Sequence, residues 1–206
     1  LMSTVPAAID IARKACQATA EACGIRPVKV SELSEPVREK IEAAFPASVV
    51  EQANLYFDMP LNDPQMGIGF LNTLGMIAAG GGTVMGMTFG NDVYLDCGRD
   101  DLLESAEARS LVGHELVHVA QYQALGFGPY KEMYAKETAR KSSYEENALE
   151  KEAFRFQSLT ATRPDRAFFA FYRSTEAERV CVEGRPGATL DSLTGIDSVE
   201  VAITAA

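Results

Sequence analysis

Leu111-Val112-Gly113-His114-Glu115-Leu116-Val117-His118-Val119 holds both histidines of the chain, in the order His-Glu-x-x-His. On a helix, residues four apart lie one turn apart on the same face, so His114 and His118 can aim two imidazole nitrogens at one point. Glu115 sits about 100° round the helix from His114, which lets its carboxylate reach a water near that point without becoming a ligand. Two histidines as ligands and a glutamate as general base is the zinc-hydrolase pattern.

The flanks predict one helix from about residue 104 to 125. Asp100, Asp101, Glu104 and Glu107 form an acidic run at its start, and Ser105 stands ahead of the apolar positions that begin at Leu111. Gly126, Gly128 and Pro129 supply the stop. Upstream, Thr83 to Phe89 alternates as a half-buried strand does, and Val93-Tyr94-Leu95 continues after Gly90-Asn91-Asp92. Met85, Met87 and Phe89 fall at strand spacing, as core or as the lining of a groove. Val49 to Phe57 reads as the start of the sheet, with Leu55 and Phe57 on one face and Tyr56 on the other.

Helices are expected elsewhere. Residues 7 to 23 place Ile9, Ala12 and Cys16 on one side, with Gly24 after them. Ser34-Glu35-Pro36-Val37 is a helix start followed by Val37, Ile41 and Ala44, ending near Phe45-Pro46. Pro129 opens a helix carrying Tyr130, Met133, Tyr134 and Thr138. A further helix begins at Ser142-Ser143-Tyr144-Glu145-Glu146, where each serine has a glutamate three residues on, and it carries Asn147, Leu149, Glu150, Glu152, Ala153 and Phe156. The expected class is α+β, zincin-like and mainly helical, with a small mixed or antiparallel sheet beside the metal-binding helix.

At 206 residues the chain suits one domain, and 47% hydrophobic with 23% charged residues is a globular composition. A net charge of -10 repels phosphate backbones, which argues against nucleic acid as a partner. No charged residue occurs from Pro64 to Asn91, but Gly80-Gly81-Gly82 interrupts the stretch, so it reads as buried strands joined by a glycine turn, with no membrane span. Cys16, Cys23, Cys97 and Cys181 form no CxxC pair. They permit two disulfides or four reduced thiols, and Cys16 and Cys23, about 10 Å apart on a regular helix, cannot bridge each other there.

With no third histidine, a catalytic zinc needs a carboxylate or a thiolate as its third ligand. Glu150, 32 residues after His118, lies on the next capped helix. Glu145, Glu146 and Glu152 compete, although the first two sit in the cap turn, where they serve the helix N-terminus. Tyr122, Tyr130, Tyr134 and Tyr144 are candidates to stabilise an oxyanion.

Three stretches carry a resemblance. Met87-Thr88-Phe89-Gly90-Asn91-Asp92-Val93-Tyr94, then His114-Glu115-Leu116-Val117-His118-Val119-Ala120-Gln121-Tyr122, then Tyr144-Glu145-Glu146-Asn147-Ala148-Leu149-Glu150-Lys151-Glu152-Ala153 resemble the extracellular contractile injection system core domain family, bacterial metallopeptidases of the gluzincin type. The resemblance covers about residues 34 to 157 of a single domain, with 1–33 as an N-terminal helical extension and 160–206 as a C-terminal extension of unassigned role. It implies Zn2+ held by His114, His118 and Glu150, Glu115 as general base, and a peptide or protein substrate. Many gluzincins place an aspartate four residues after the ligand glutamate to orient a histidine; Phe154 stands there here, so His114 must be oriented by something else. Cysteine count and resemblance both lean towards secretion or the periplasm. The alternative is a catalytically inactive zinc-binding interaction or toxin-associated module, whose site Cys97 or Cys181 would close as a fourth ligand. A metal-free scaffold is the third reading.

Overall fold

A computed structural model describes residues 5–63, 83–140 and 147–154. Several expectations fall outside these residues: the cap at Ser142 and Ser143, Tyr144, Glu145 and Glu146, Phe156, Cys181, most of the uncharged stretch, and all of 160–206.

The described chain is mostly helical with one small mixed sheet, an α+β arrangement. Helix α1 spans Val5–Cys23, α2 Glu35–Ala44, α3 Ala47–Gln52, α4 Asp101–Glu104, α5 Ala106–Leu125 and α6 Phe127–Arg140. Residues 148–154 are helical as well. The strands are β1 Asn54–Tyr56, β2 Gly86–Phe89 and β3 Asp92–Leu95, in the order β1-β3-β2. β1 runs parallel to β3, while β2 and β3 form an antiparallel hairpin in which Phe89 faces Asp92. Gly90, with φ at 68°, takes the first position of the two-residue turn, where a left-handed backbone suits the strand twist.

The period-2 alternation divides the sheet into two faces. Leu55, Val93 and Leu95 join α2, α3 and the apolar residues of α5 in the larger core. Met87, Phe89 and Tyr94 pack with Ala12, Cys16 and Ala20 of α1 on the other face. Met87 and Phe89 are therefore core, whereas Met85 is exposed. α5 lies against the sheet on one side and α6 on the other, which buries every residue from Ser110 to Tyr122.

Four boundaries differ from the sequence reading. Val49 to Gln52 is helical, not the start of a strand: Pro46 ends α2, and its free carbonyl accepts from Val49 and Val50 N–H, nucleating α3. Thr83 to Met85 precedes the ladder because the Asn62 side chain, not a strand, satisfies both backbone groups of Val84. The helix expected from about 104 to 125 is one helix that starts at Ala106, because the Ser105 hydroxyl accepts from Ala108 N–H and caps it there, leaving Glu104 at the end of the short α4. α6 begins at Phe127, two residues before Pro129, which the first turn tolerates because its missing N–H would have no helical partner. Cys16, Cys23 and Cys97 are free thiols, and among the described residues no helix is long and apolar enough to cross a membrane.

Candidate metal centre

α5 presents His114 and His118 one turn apart, and the helical residues 148–154 bring Glu150 against them. The two histidine Nε2 atoms are 3.2 Å apart, and Glu150 Oε2 lies 3.5 Å from that of His114 and 3.4 Å from that of His118. All three side chains are buried, and together they could hold a metal ion. Among the described residues, two buried atoms of this group have no hydrogen-bond partner, Glu150 Oε2 and His114 Nδ1. An orphaned carboxylate oxygen aimed at two imidazole nitrogens is costly unless a cation or a proton is shared there.

The surroundings fix the two ligand-bearing elements to each other. His118 Nδ1 donates to Gln121 Oε1 at 2.9 Å, which leaves Nε2 directed at Glu150. Gln121 in turn donates to Leu149 O at 3.1 Å and to Glu152 Oε2 at 2.6 Å. One buried amide thus ties a histidine of α5 to the segment that carries Glu150. Glu152 serves this tie and does not converge with the histidines. Tyr134 donates to Glu150 Oε1 at 2.9 Å, and the Tyr130 hydroxyl lies 3.2 Å from His118 Nδ1. Among the described residues His114 Nδ1 has no polar partner, and the Phe154 ring meets the imidazole edge-on at 4.8 Å between centroids, so an aromatic contact stands where many gluzincins place an aspartate.

Burial lowers the basicity of His118, but the Glu150 charge outweighs it and raises the His118 pKa to about 9. Burial likewise pushes Glu150 up, and the His118 charge carries it well below the usual carboxylate range. Without metal the two form a buried ion pair at neutral pH. Because the folded His118 value lies above its ordinary 6.5 and that of Glu150 below its ordinary 4.5, this stabilisation is fully present between about pH 4.5 and 6.5, disappears as pH rises through about 9, and is lost again as acid protonates Glu150. A metal must displace the His118 proton. Titration with zinc at pH 7 in buffers of different ionisation heat is therefore expected to release about one proton, and the release should vanish near pH 10. Gln121→Leu is expected to weaken zinc binding by about 10- to 100-fold in competition with a chromophoric chelator, the range for losing a partner that orients a ligand.

Glu115 is placed by the sheet. The Thr88 hydroxyl donates to Glu115 Oε2 at 2.7 Å, and Gly86 leaves room for the rest of the carboxylate. A Cβ at Gly86 would stand 2.5 Å from Glu115 Oε1 and 2.9 Å from its Cδ. Gly86→Ala is accordingly expected to leave metal content unchanged while lowering any hydrolytic rate by about a hundredfold, the scale of a misplaced catalytic group. Equal rates in the two proteins would show that Glu115 is not held there for catalysis.

Glu115, His118, Glu150, Tyr122, Tyr130 and Tyr134 line one cavity with Gly86, Met87, Thr88 and Phe89 of β2. Tyr122 stacks on Tyr130 at 3.7 Å and on Phe127 at 5.2 Å. Burial pushes up the pKa of the Tyr122 and Tyr130 hydroxyls, so both stay protonated. Tyr134 commits its hydroxyl hydrogen to Glu150, whereas Tyr130 sets its hydroxyl oxygen against His118 Nδ1; Tyr122 lines the same cavity. Thr88, Gly86 and Gln121 were not singled out from sequence. Gln121 follows His118 at helical spacing, and Thr88 is the polar residue of an apolar strand, so both carried a readable signal.

Residues 73–126 match the family model described as the eCIS core domain. The match takes in β2, β3 and all of α5, and it is narrower than the stretch of about 34 to 157 over which the sequence resembles that family. It stops before Glu150, so geometry alone brings that carboxylate to the histidines. No curated protein and no solved structure matches the chain.

Proposed function

We propose that this chain is a zinc-dependent peptide-bond hydrolase with a zincin-like site. One observation carries the proposal: His114, His118 and Glu150 converge with donor separations of 3.2, 3.5 and 3.4 Å, and two of them, His118 and Glu150, line a cavity together with Glu115. Ligands about 2.0–2.1 Å from a tetrahedral zinc stand about 3.4 Å from one another, so the donor set fits that ion with little movement. The identity of the donors, two imidazoles and a carboxylate, suits zinc as well. Bound there, zinc would supply Lewis acidity and bring the pKa of water to about 7.

The chain's own groups do the rest. Glu115, oriented by Thr88, takes the proton from the attacking water and returns it to the leaving amine. Tyr122 supplies a protonated hydroxyl beside the developing oxyanion. β2 lies at an end of the three-strand order and lines the cavity, so its backbone can pair with an extended substrate. Incubation of zinc-loaded protein with a quenched-fluorescent peptide library tests the proposal. Cleavage that stops on chelation and returns with zinc is expected; no cleavage at full zinc occupancy would contradict it.

A second reading, an inactive zinc-binding interaction or toxin-associated module, is favoured by the small size of the cavity, about 90 Å3. Closure of the site by a thiolate finds no support among the described residues, where Cys97 packs against the larger core and does not join the donor cluster.

A further inference from the structure

One wall of the cavity beside the donor cluster comes from α1. Val5, Ala8, Ile9 and Ala12 of α1 line the same space as Glu115, His118 and Glu150. That space is about 90 Å3. An engineered cavity of roughly 150 Å3 holds one benzene, and ordinary small-molecule sites measure roughly 300–1,000 Å3. With α1 docked, water and a small group can enter, but a stretch of polypeptide cannot.

What holds α1 in place is shallow. Its buried residues are Ala8, Ala12, Cys16, Thr19 and Ala20, all small, while Ile11 is exposed. α5, by contrast, buries Leu111, Val112, Leu116, Val117 and Val119. Burial free energy scales with the apolar area removed from water on both partners: α1 covers Met87, Phe89 and Tyr94 but adds only small buried side chains of its own, so it is held less firmly than α5, which adds leucines and valines. The other fastenings are one part-exposed ion pair, two cations over one ring and one buried thiol contact. Lys131 Nζ donates to Asp10 Oδ2 at 2.7 Å, with the Asp10 side chain 40% exposed. The Arg13 guanidinium and the Lys131 ammonium lie 5.6 and 5.1 Å from the centroid of the Phe127 ring. Cys16 Sγ touches Met87 Sδ at 3.6 Å. Elements with few buried apolar contacts open at free energies well below that of global unfolding.

We infer that α1 is a displaceable cover: docked, it closes the metal centre to polypeptide, and its release, with Asp10–Lys131 as the latch, admits an extended substrate. The inference rests on the proposed hydrolase activity for what enters, but the movement stands apart from it.

The test uses the full zinc-loaded chain, its Asp10→Lys variant and the exchanged pair Asp10→Lys/Lys131→Asp. Cys16 is wholly buried against Met87, so its alkylation by iodoacetamide, followed by peptide mass spectrometry, reports undocking without reference to metal. The rate at which EDTA removes zinc reports access to the site. Asp10→Lys is expected to raise both rates about three- to tenfold, the scale of a part-exposed ion pair replaced by a like-charge contact, and the exchanged pair should restore both. A Cys16 rate that Asp10→Lys leaves unchanged, or that follows global unfolding in denaturant, would overturn the inference. Faster Cys16 alkylation with unchanged zinc removal would overturn it too. Coupled changes in both rates without peptide cleavage in any variant would support the cover and count against hydrolysis. If the chain takes up no zinc, the Cys16 rates decide the movement alone.

Discussion

Zinc content is expected to fall from about one ion per chain to near zero in Glu150→Ala after dialysis against zinc-free buffer. Two histidines on one helix remain in that variant, but a catalytic zinc site takes three protein ligands, and Glu150 supplies the only carboxylate oxygen that meets both Nε2 atoms among the described residues. The loss should exceed the roughly 100-fold that removal of an orienting partner costs. Removing Glu150 also leaves His118 with burial as the dominant influence, so His118 sheds its proton at neutral pH and the apoprotein loses the stabilisation of the pair. Glu150→Gln keeps the volume and an acceptor for Tyr134 while removing the charge. Elemental analysis of both variants beside the parent checks the expectation, and zinc retained at parental levels in folded Glu150→Gln would move the third ligand to another residue.

Glu115→Gln is expected to lower peptide hydrolysis by about 10²- to 10⁴-fold while leaving zinc bound. The amide can keep the Thr88 hydrogen bond through its carbonyl oxygen and occupies the same space beside Gly86, so the site should stay intact while the proton acceptor is lost. Initial rates on a quenched peptide, with metal content measured on the same sample, separate loss of the base from loss of the ion. Unchanged rates would exclude Glu115 as general base.

How much of this was legible beforehand depends on the range of each interaction. The spacing of His114, Glu115 and His118 reads directly, because helical periodicity places residues four apart on one face whatever the tertiary fold. The bounding signals Ser105 and Gly126 read as directly, since capping and left-handed backbone are local. Val49 to Gln52 misled because valines favour strands, while the free carbonyl of Pro46 decided for helix. The tie from His118 through Gln121 to Leu149 and Glu152 joins segments far apart in sequence, and no local pattern encodes which side chain a buried amide will reach. α1 was legible as a helix with a small-residue face. That this face would wall the cavity depends on α6 holding Asp10 through Lys131, a contact between distant parts of the chain. Phe154 marked correctly that no aspartate orients His114, but only the fold showed an aromatic edge in its place.

X-ray absorption at the zinc edge of the zinc-loaded chain tests the metal centre most directly. The expected spectrum contains two imidazole shells and light oxygen scatterers at about 2.0–2.2 Å, with no sulfur contribution, and loses an oxygen in Glu150→Gln if zinc is held there at all. A sulfur shell at about 2.3 Å would mean that a cysteine closes the site, contradicting a hydrolase built on His114, His118 and Glu150.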